Sequence, residues 1–380
     1  MYRKGVFIIP NLKEGGAERV LVNILKYTSS KSYEKVLVVY EKKGELFQEV
    51  PQNVKIISLE RYHREGMGWA FLRLRNLIRI FIREKPDFIL SFMTEMNLMA
   101  IIAAIISGHK NNLIISERTY TKFNILYADW GIFRKFIVAY LPKILYRMTR
   151  KIIAVSNDVA THINRYFGIN RKKIVTIYNP LDIEKIKFSS LEDVNDTWFN
   201  PEEPIIISVG RLCKAKNFGC LIRAFHIVRK SIRCRLIILG EGEERAQLES
   251  LINRLGIGDN VVLPGFQRNP YKYIKRATVF VLSSLYEGFP NVLSEALACG
   301  TPIISTDCHA GPREILDNGK FGLLAPVNDE NKLAEAIIKL LKDEEVQRHF
   351  SSIGQERTKD FDVKKIVKEY ENVFDEVLKY

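Results

Sequence analysis

The stretch Ala277-Thr-Val-Phe-Val-Leu282, Ser283-Ser-Leu-Tyr-Glu287-Gly-Phe-Pro290, Asn291-Val-Leu-Ser-Glu295-Ala-Leu-Ala298 opens the reading of the whole chain. Its first six residues form an apolar run of the length of a buried strand. The next eight carry Ser, Gly and Pro and make a loop, and the last eight begin a helix. An apolar strand followed by a short loop and a helix belongs to a parallel sheet covered on both faces. Glu287 falls in the loop and Glu295 in the helix. At the carboxyl end of a strand in an open α/β sheet, such a turn aims backbone N–H groups and polar side chains into a ligand crevice. A carboxylate placed there accepts hydrogen bonds from vicinal hydroxyls, as the acidic residue of dinucleotide sites does with ribose.

The same alternation runs outward in both directions. Short apolar runs predict strands near Val6–Ile9, Val36–Tyr40, Phe88–Phe92, Leu113–Ser116, Ile152–Val155 and Ile174–Ile177. A second series falls near Ile205–Val209, Arg235–Leu239, Val261–Leu263, Thr278–Leu282 and Pro302–Ser305, with helical patterns between most of them. Alternating β and α with apolar strands predicts two doubly wound α/β domains, and 380 residues suit two cores better than one. Strand patterning stops over 180–204, where Ser189, Ser190, Asp193, Asn195 and Asn200 accumulate, so the boundary is placed there. Two such domains leave a cleft between their strand ends, the usual ligand site in sheets of this kind.

Charge divides along the same line. Residues 1–180 hold 30 Lys and Arg against 14 Asp and Glu, whereas the remaining 200 hold 28 against 30. The +14 of the chain thus belongs to its first half, which points to an anionic partner such as a phospholipid surface, a pyrophosphate-bearing acceptor or nucleic acid. The five cysteines lie in the second half without CxxC or Cys/His spacing and are read as reduced thiols of a cytosolic protein. Val6–Ile9 is too short for a signal-peptide core and Leu98–Ile106 is about half of a bilayer span, so neither a leader nor a transmembrane helix is expected.

Arg211 and Lys216 directly follow the strand at Ile205–Val209. Fixed cations at a strand end are suited to meet an anionic ligand. Gly15 and Gly16, between the first strand and a helix, allow close backbone approach to phosphate or sugar. No Asp-x-Asp pair stands at a strand end, which disfavours a metal-dependent transferase. Gly240-Glu-Gly242-Glu-Glu lacks the third glycine of a dinucleotide fingerprint, which disfavours a dehydrogenase.

Four segments in order resemble the retaining glycosyltransferases of family 4: Glu14-Gly-Gly-Ala-Glu-Arg19, Val209-Gly-Arg-Leu212 through Lys216-Asn-Phe218, Glu287 through Glu295, and Gly311-Pro-Arg-Glu-Ile-Leu316. The resemblance implies the GT-B fold, in which two Rossmann-like domains face each other across a cleft. It implies an acceptor-binding, membrane-facing domain over residues 1–182, a linker over 183–203 and a nucleotide-sugar domain over 204–358. Residues 359–380 would be a helix packing back on the first domain. By the same resemblance Arg211 and Lys216 hold the donor diphosphate, Glu295 the ribose and Glu287 the transferred sugar. The backbone N–H groups of Phe289, Asn291 and Val292 would complete the grip, Pro290 having none to offer, and Gly15 and Gly16 face the donor phosphates. Catalysis is assigned to Glu287, Arg211 and Lys216.

Many members carry a histidine near Ser116-Glu117-Arg118; here it is missing, and Glu117 is taken as its substitute facing the cleft. The family implies front-face retention, a UDP-sugar co-substrate without cofactor or metal, and a lipid-linked saccharide acceptor. The expected place is the cytoplasmic side of the membrane, in O-antigen, capsule, lipopolysaccharide or glycan-precursor assembly. GalNAc is the first expectation for the sugar, ahead of Gal and GlcNAc, and nucleic acid is not an expected partner. Two basic amphipathic regions, Trp69–Arg83 and Arg134–Lys151, suit peripheral attachment to an anionic leaflet. Two rival readings remain at this stage: a nucleotide-sugar 2-epimerase of the same fold, and a non-catalytic module binding membrane or nucleic acid through the basic half.

Overall fold

The computed structural model describes residues 2–13, 15–59, 67–127, 130–194, 198–199 and 203–379. Glu14, Asn195 and Asn200 lie outside the described residues. The chain divides into two units, Met1–Pro180 with Val363–Tyr380, and Leu181–Asp362.

The first unit is built on seven parallel strands: β1 (Arg3–Ile9), β2 (Tyr33–Val39), β3 (Lys55–Ser58), β4 (Phe88–Phe92), β5 (Leu113–Glu117), β6 (Lys151–Ala154) and β7 (Ile174–Thr176), in the order β3-β2-β1-β4-β5-β6-β7. The central strands are buried along nearly their whole length because helices cover both faces. The C-terminal helix Val363–Leu378 belongs to this unit. Its buried stripe of Val363, Ile366, Val367, Tyr370, Val373, Phe374 and Val377 keeps helical spacing. Phe374 stacks on Phe88 with ring centroids 4.2 Å apart and meets Phe7 edge-on.

The second unit holds β8 (Ile205–Val209), β9 (Arg235–Leu239), β10 (Val261–Gly265), β11 (Val279–Leu282), β12 (Ile303–Thr306) and β13 (Leu323–Ala325), all parallel, in the order β10-β9-β8-β11-β12-β13. Both units are thus doubly wound, as the apolar strand runs predicted. Each sheet reverses its winding at one place, between β1 and β4 in the first and between β8 and β11 in the second.

Two differences from the sequence reading concern short elements. β3 and β13 were not anticipated; each is an edge strand, of four and three residues, with little of the burial that makes an inner strand recognisable. The stretch read as a linker from 183 begins with a helix, Ile183–Ser190, which buries Ile183 and Ile186 within the second unit. Its acidic N-cap, Asp182, accepts from the Lys185 N–H at 3.2 Å.

Candidate active site

In the second unit the loops after β8 and β11 leave the sheet on either side of its switch point and are tied to each other. The Leu285 N–H donates to the Ala215 carbonyl at 2.8 Å, and Ser283 Oγ donates to the Lys216 carbonyl at 2.8 Å. These bonds bring the Lys216 ammonium to Glu287, where Nζ donates to Oε1 at 2.6 Å. Ser284 Oγ donates to the same oxygen at 2.7 Å. The pair is largely withdrawn from solvent, with side chains 21% and 13% exposed. Burial alone would lower the Lys216 pKa, but the Glu287 carboxylate outweighs it and the ammonium is held above its usual range.

The Lys216 turn is made possible by Asn217, which takes a left-handed conformation (φ 50°) and starts the helix Phe218–Arg229. Neighbouring loops fix it from below. Gly240 has φ 141°, and a β-carbon there would overlap the Gly210 carbonyl oxygen, while one at Gly242 would overlap that of Leu212. The Gly-Glu-Gly turn after β9 is therefore a packing turn, which explains two glycines without a dinucleotide. Arg211 is exposed, and although burial opposes it, contacts with Cys213, Glu243 and Tyr286 raise its pKa, so its charge is secure beside the Glu287 loop.

A third loop supports the Glu287 turn. The Glu287 N–H donates to the His309 carbonyl at 3.1 Å, and Gly311 (φ 95°) leaves room for Pro290, which a β-carbon at 311 would strike. Arg313 pairs with Asp307 at the rim of this loop. Pro290 is the N-cap of the helix Asn291–Cys299, so Asn291 and Val292 stand in its first turn, whose N–H groups have no acceptor within the helix itself. Phe289 is buried against Phe361, at 5.5 Å between ring centroids. Glu295 lies one turn into the helix, with the Tyr271 hydroxyl 3.5 Å from its Oε1. The second unit thus gathers a cationic loop, an acidic loop and a helix N-terminus at one switch point.

The corresponding place in the first unit holds Gly15 and Gly16. Gly15 is the N-cap of the helix Gly16–Tyr27, and a β-carbon there would overlap the Glu18 carboxylate, which folds back over the turn. Burial raises the Glu18 pKa. Glu18 was not singled out from sequence, although an acid in the first turn of a helix after a Gly-Gly pair is a readable signal. Arg19 pairs with Glu49 instead.

Glu117 is a correction. Expected to face a ligand, it is fully buried and accepts from Tyr146 OH at 2.5 Å and Thr94 Oγ1 at 2.8 Å. Burial raises its pKa. Adjacent Arg118 is buried as well, donating to Asn179 Oδ1 at 2.6 Å and lying 3.4 Å from Tyr370 OH of the C-terminal helix. The end of β5 therefore serves cohesion of the first unit, because side chains alternate in and out of a pleated strand whose two faces are both covered. No group of three or more His, Cys, Asp or Glu residues able to hold a metal occurs among the described residues. All five cysteines are buried free thiols, with Cys220 pushed up to about 11 and Cys234 and Cys299 to about 12, each mainly by burial.

Comparison with known proteins adds the family. The family described as "Glycosyltransferase Family 4" matches residues 14–185, and "Glycosyl transferases group 1" matches 190–357. A Campylobacter jejuni N-acetylgalactosamine-N,N'-diacetylbacillosaminyl-diphospho-undecaprenol 4-alpha-N-acetylgalactosaminyltransferase is 32% identical over 97% of this chain and 98% of its own. A second C. jejuni protein, an alpha-1,4-N-acetyl-D-galactosaminyltransferase named for a GalNAc-extended diNAcBac-PP-undecaprenol, is 28% identical over 98% of each chain. Among solved structures, Anabaena HepE in complex with UDP-glucose superposes with a TM-score of 0.79 over 99% of this chain and 100% of its own at 19% identity, a likeness of fold. With two doubly wound units and an end-to-end relative above 30% identity, the chain belongs to glycosyltransferase family 4 and is a glycosyltransferase of the GT-B fold.

Proposed function

We propose that the chain transfers a hexose or N-acetylhexosamine, GalNAc before Gal or GlcNAc, from a UDP-sugar to a lipid-linked saccharide, with retention and without a metal. The observation that carries this reading is the Lys216–Glu287 pair at the switch point of the second sheet, 2.6 Å apart, with Arg211 on the same loop as Lys216. As the bond from the sugar C1 to the diphosphate breaks, its electron pair leaves with UDP, and Lys216 and Arg211 meet the growing charge. Glu287 accepts from hydroxyls of the sugar while orienting Lys216, and Glu295 accepts from ribose hydroxyls. The first-turn N–H groups of Asn291 and Val292, with that of Phe289, are directed to the anionic donor.

An acceptor hydroxyl then forms the new bond to C1 on the face the diphosphate leaves, and its proton passes to a departing phosphate oxygen. In this reading neither glutamate bonds to the sugar, so the two-carboxylate scheme of glycosidases does not apply. In the first unit, Gly15 and Gly16 offer the close backbone approach that a phosphate or sugar group needs. The lipid-linked acceptor is supported by the names of the two C. jejuni relatives. We assign the chain a peripheral place at the cytoplasmic leaflet, where a lipid-linked acceptor would be met; no helix among the described residues is long and apolar enough to cross a membrane.

The test incubates the protein with UDP-GalNAc, UDP-Gal, UDP-GlcNAc and UDP-Glc, with and without a membrane lipid extract, beside Glu287→Ala. The expected result is acceptor-dependent UDP release from one donor, lost in the variant. Release that needs no acceptor and yields an epimerised sugar, or no release with any donor, overturns the reading.

A further inference from the structure

Three short turns meet at the amino edge of the first sheet. Lys110-Asn-Asn112 leads into β5, Arg147-Met-Thr-Arg150 into β6 and Arg171-Lys-Lys173 into β7. The three strands are neighbours, with Ile114 opposite Lys151 and Ile152 opposite Ile174, so turns distant in sequence lie side by side. An open cavity of ≈ 340 Å³ is lined there by Lys110, Arg147, Arg150 and Lys173, and no Asp or Glu among the described residues lines it. Its walls are held by bonds to the backbone. The Arg150 N–H donates to the Leu113 carbonyl at 3.0 Å, Thr149 Oγ1 to the Tyr146 carbonyl at 2.9 Å and the Asn112 side chain to the Pro86 carbonyl at 3.0 Å. Lys173 Nζ donates to the Arg147 and Thr149 carbonyls at 2.5 and 3.1 Å, which fixes its ammonium against the turn before β6.

Like charges held together are unfavourable unless an opposite charge offsets them. Half-buried Lys173 shows the cost: burial first, and then the Arg150 charge, hold its ammonium below the usual range. Neighbouring cations outside the cavity are offset within the chain, Lys151 by Glu376 at 2.7 Å and Arg134 by Glu95. Among the described residues no ion pair involves Lys110, Arg147 or Lys173. A concave group of cations with protein walls focuses a positive potential and draws anions. The ligand crevice of a doubly wound sheet lies at the carboxyl ends of its strands, so this cavity at the amino ends is not part of the transfer site.

The cavity has the size of a small-molecule site, near the lower end of about 300–1,000 Å³. Four cations call for more than one negative charge. Linked phosphates supply several charges on one small ligand, and they accept from guanidinium groups in bidentate fashion and from ammonium groups as point charges. We propose that this cavity is a second anion site, which takes a soluble compound carrying two or more linked phosphates on Lys110, Arg147, Arg150 and Lys173. Such a site is independent of sugar transfer.

The test is titration calorimetry of the full chain with inorganic pyrophosphate and, for comparison, inorganic phosphate. The parent is set beside Lys110→Ser/Arg147→Ser, Lys172→Ser, which removes an exposed cation outside the cavity, and Lys216→Met, which alters the transfer site. Thermal unfolding confirms that each is folded, and Lys110→Ser alone, at an exposed position, serves if the double variant is not. The expected result is pyrophosphate binding, tighter than that of phosphate and weakened by salt, that falls about tenfold or more in the double variant, or about threefold in Lys110→Ser. It persists in Lys172→Ser and Lys216→Met. No binding by the parent, no loss in the folded cavity variant, equal loss in Lys172→Ser, or a loss confined to Lys216→Met overturns the proposal. Displacement of pyrophosphate by phosphatidylglycerol vesicles but not by ADP overturns the assignment to a soluble ligand. UDP release from nucleotide sugars is measured separately, so neither reading falls with the other.

Discussion

The Lys216 ammonium donates to Glu287 Oε1 at 2.6 Å across the switch point of the second sheet, joining residues 71 apart in sequence. Each partner belongs to a loop held by backbone bonds of its own, Leu285 N–H to Ala215 and Glu287 N–H to His309. The pair is therefore preorganised: the scaffold, and not the ion pair, fixes where the two groups meet. A cation so placed costs little reorganisation when charge develops nearby.

Because the two groups form one unit, their substitutions should not add. Lys216→Met and Glu287→Gln are each expected to lower kcat by about 100- to 1,000-fold, the usual cost of a transition-state contact. The double variant is expected to lose no more than about the worse single one. Steady-state UDP release from all three proteins decides the matter, and multiplicative losses would mean that the residues act independently.

Glu295 stands in a helix, with the Tyr271 hydroxyl 3.5 Å from its Oε1, and in the proposed reading it accepts from the ribose, away from the bond that breaks. A ribose hydroxyl is bound equally well before and during bond breaking. Glu295→Gln is expected to raise the donor KM by roughly tenfold with kcat nearly unchanged, the mark of uniform binding. A drop in kcat at constant KM would assign Glu295 to the reacting sugar instead.

Glu117 should matter to stability and not to transfer. Glu117→Ala removes the acceptor of the buried Tyr146 hydroxyl and of the half-buried Thr94 hydroxyl, and is expected to cost about 1–3 kcal/mol for the groups left unsatisfied. Glu117→Gln keeps an acceptor oxygen and should recover most of that loss, with a kcat close to the parent's. Denaturant unfolding and UDP release on the same preparations separate the two effects.

How much of this was legible beforehand follows burial. Strands β4, β8 and β9 match their predicted limits because buried strands are written as unbroken apolar runs. The edge strands β3 and β13 lack that signature. At the candidate site, the strand–loop–helix order placed Glu287 and Glu295 on their elements, yet nothing local to either sequence indicated that Lys216 would reach Glu287, since that contact depends on sheet order. Glu117 misled for the opposite reason. Its position at a strand end suggested a ligand, whereas the burying groups, Thr94 and Tyr146, come from elements distant in sequence. The Ile132–Leu145 helix and the Met67–Glu84 helix read alike in composition, and only packing tells which one turns its apolar side outward.

His162 supplies a pH dependence confined to the first unit. Its ring is 4% exposed, lies 4.1 Å from the Tyr120 ring and 4.9 Å from that of Tyr166, and its Nε2 is buried without a hydrogen-bond partner among the described residues. Burial first, then the nearby Lys122 charge, pushes its pKa down from 6.5 to about 4. Above pH 6.5 the ring is neutral whether the chain is folded or not, and no stability depends on it. Below that, the unfolded chain takes up a proton that the folded chain refuses, so stability falls as pH drops and levels off near the folded pKa. Each pKa unit is worth about 1.4 kcal/mol, which bounds the loss at about 3.5 kcal/mol. His162→Phe keeps the stack and removes the titration. Urea unfolding of the first unit at pH 7 and pH 5 is expected to show a smaller drop in the variant than in the parent, and an equal drop in both would place the acid sensitivity elsewhere.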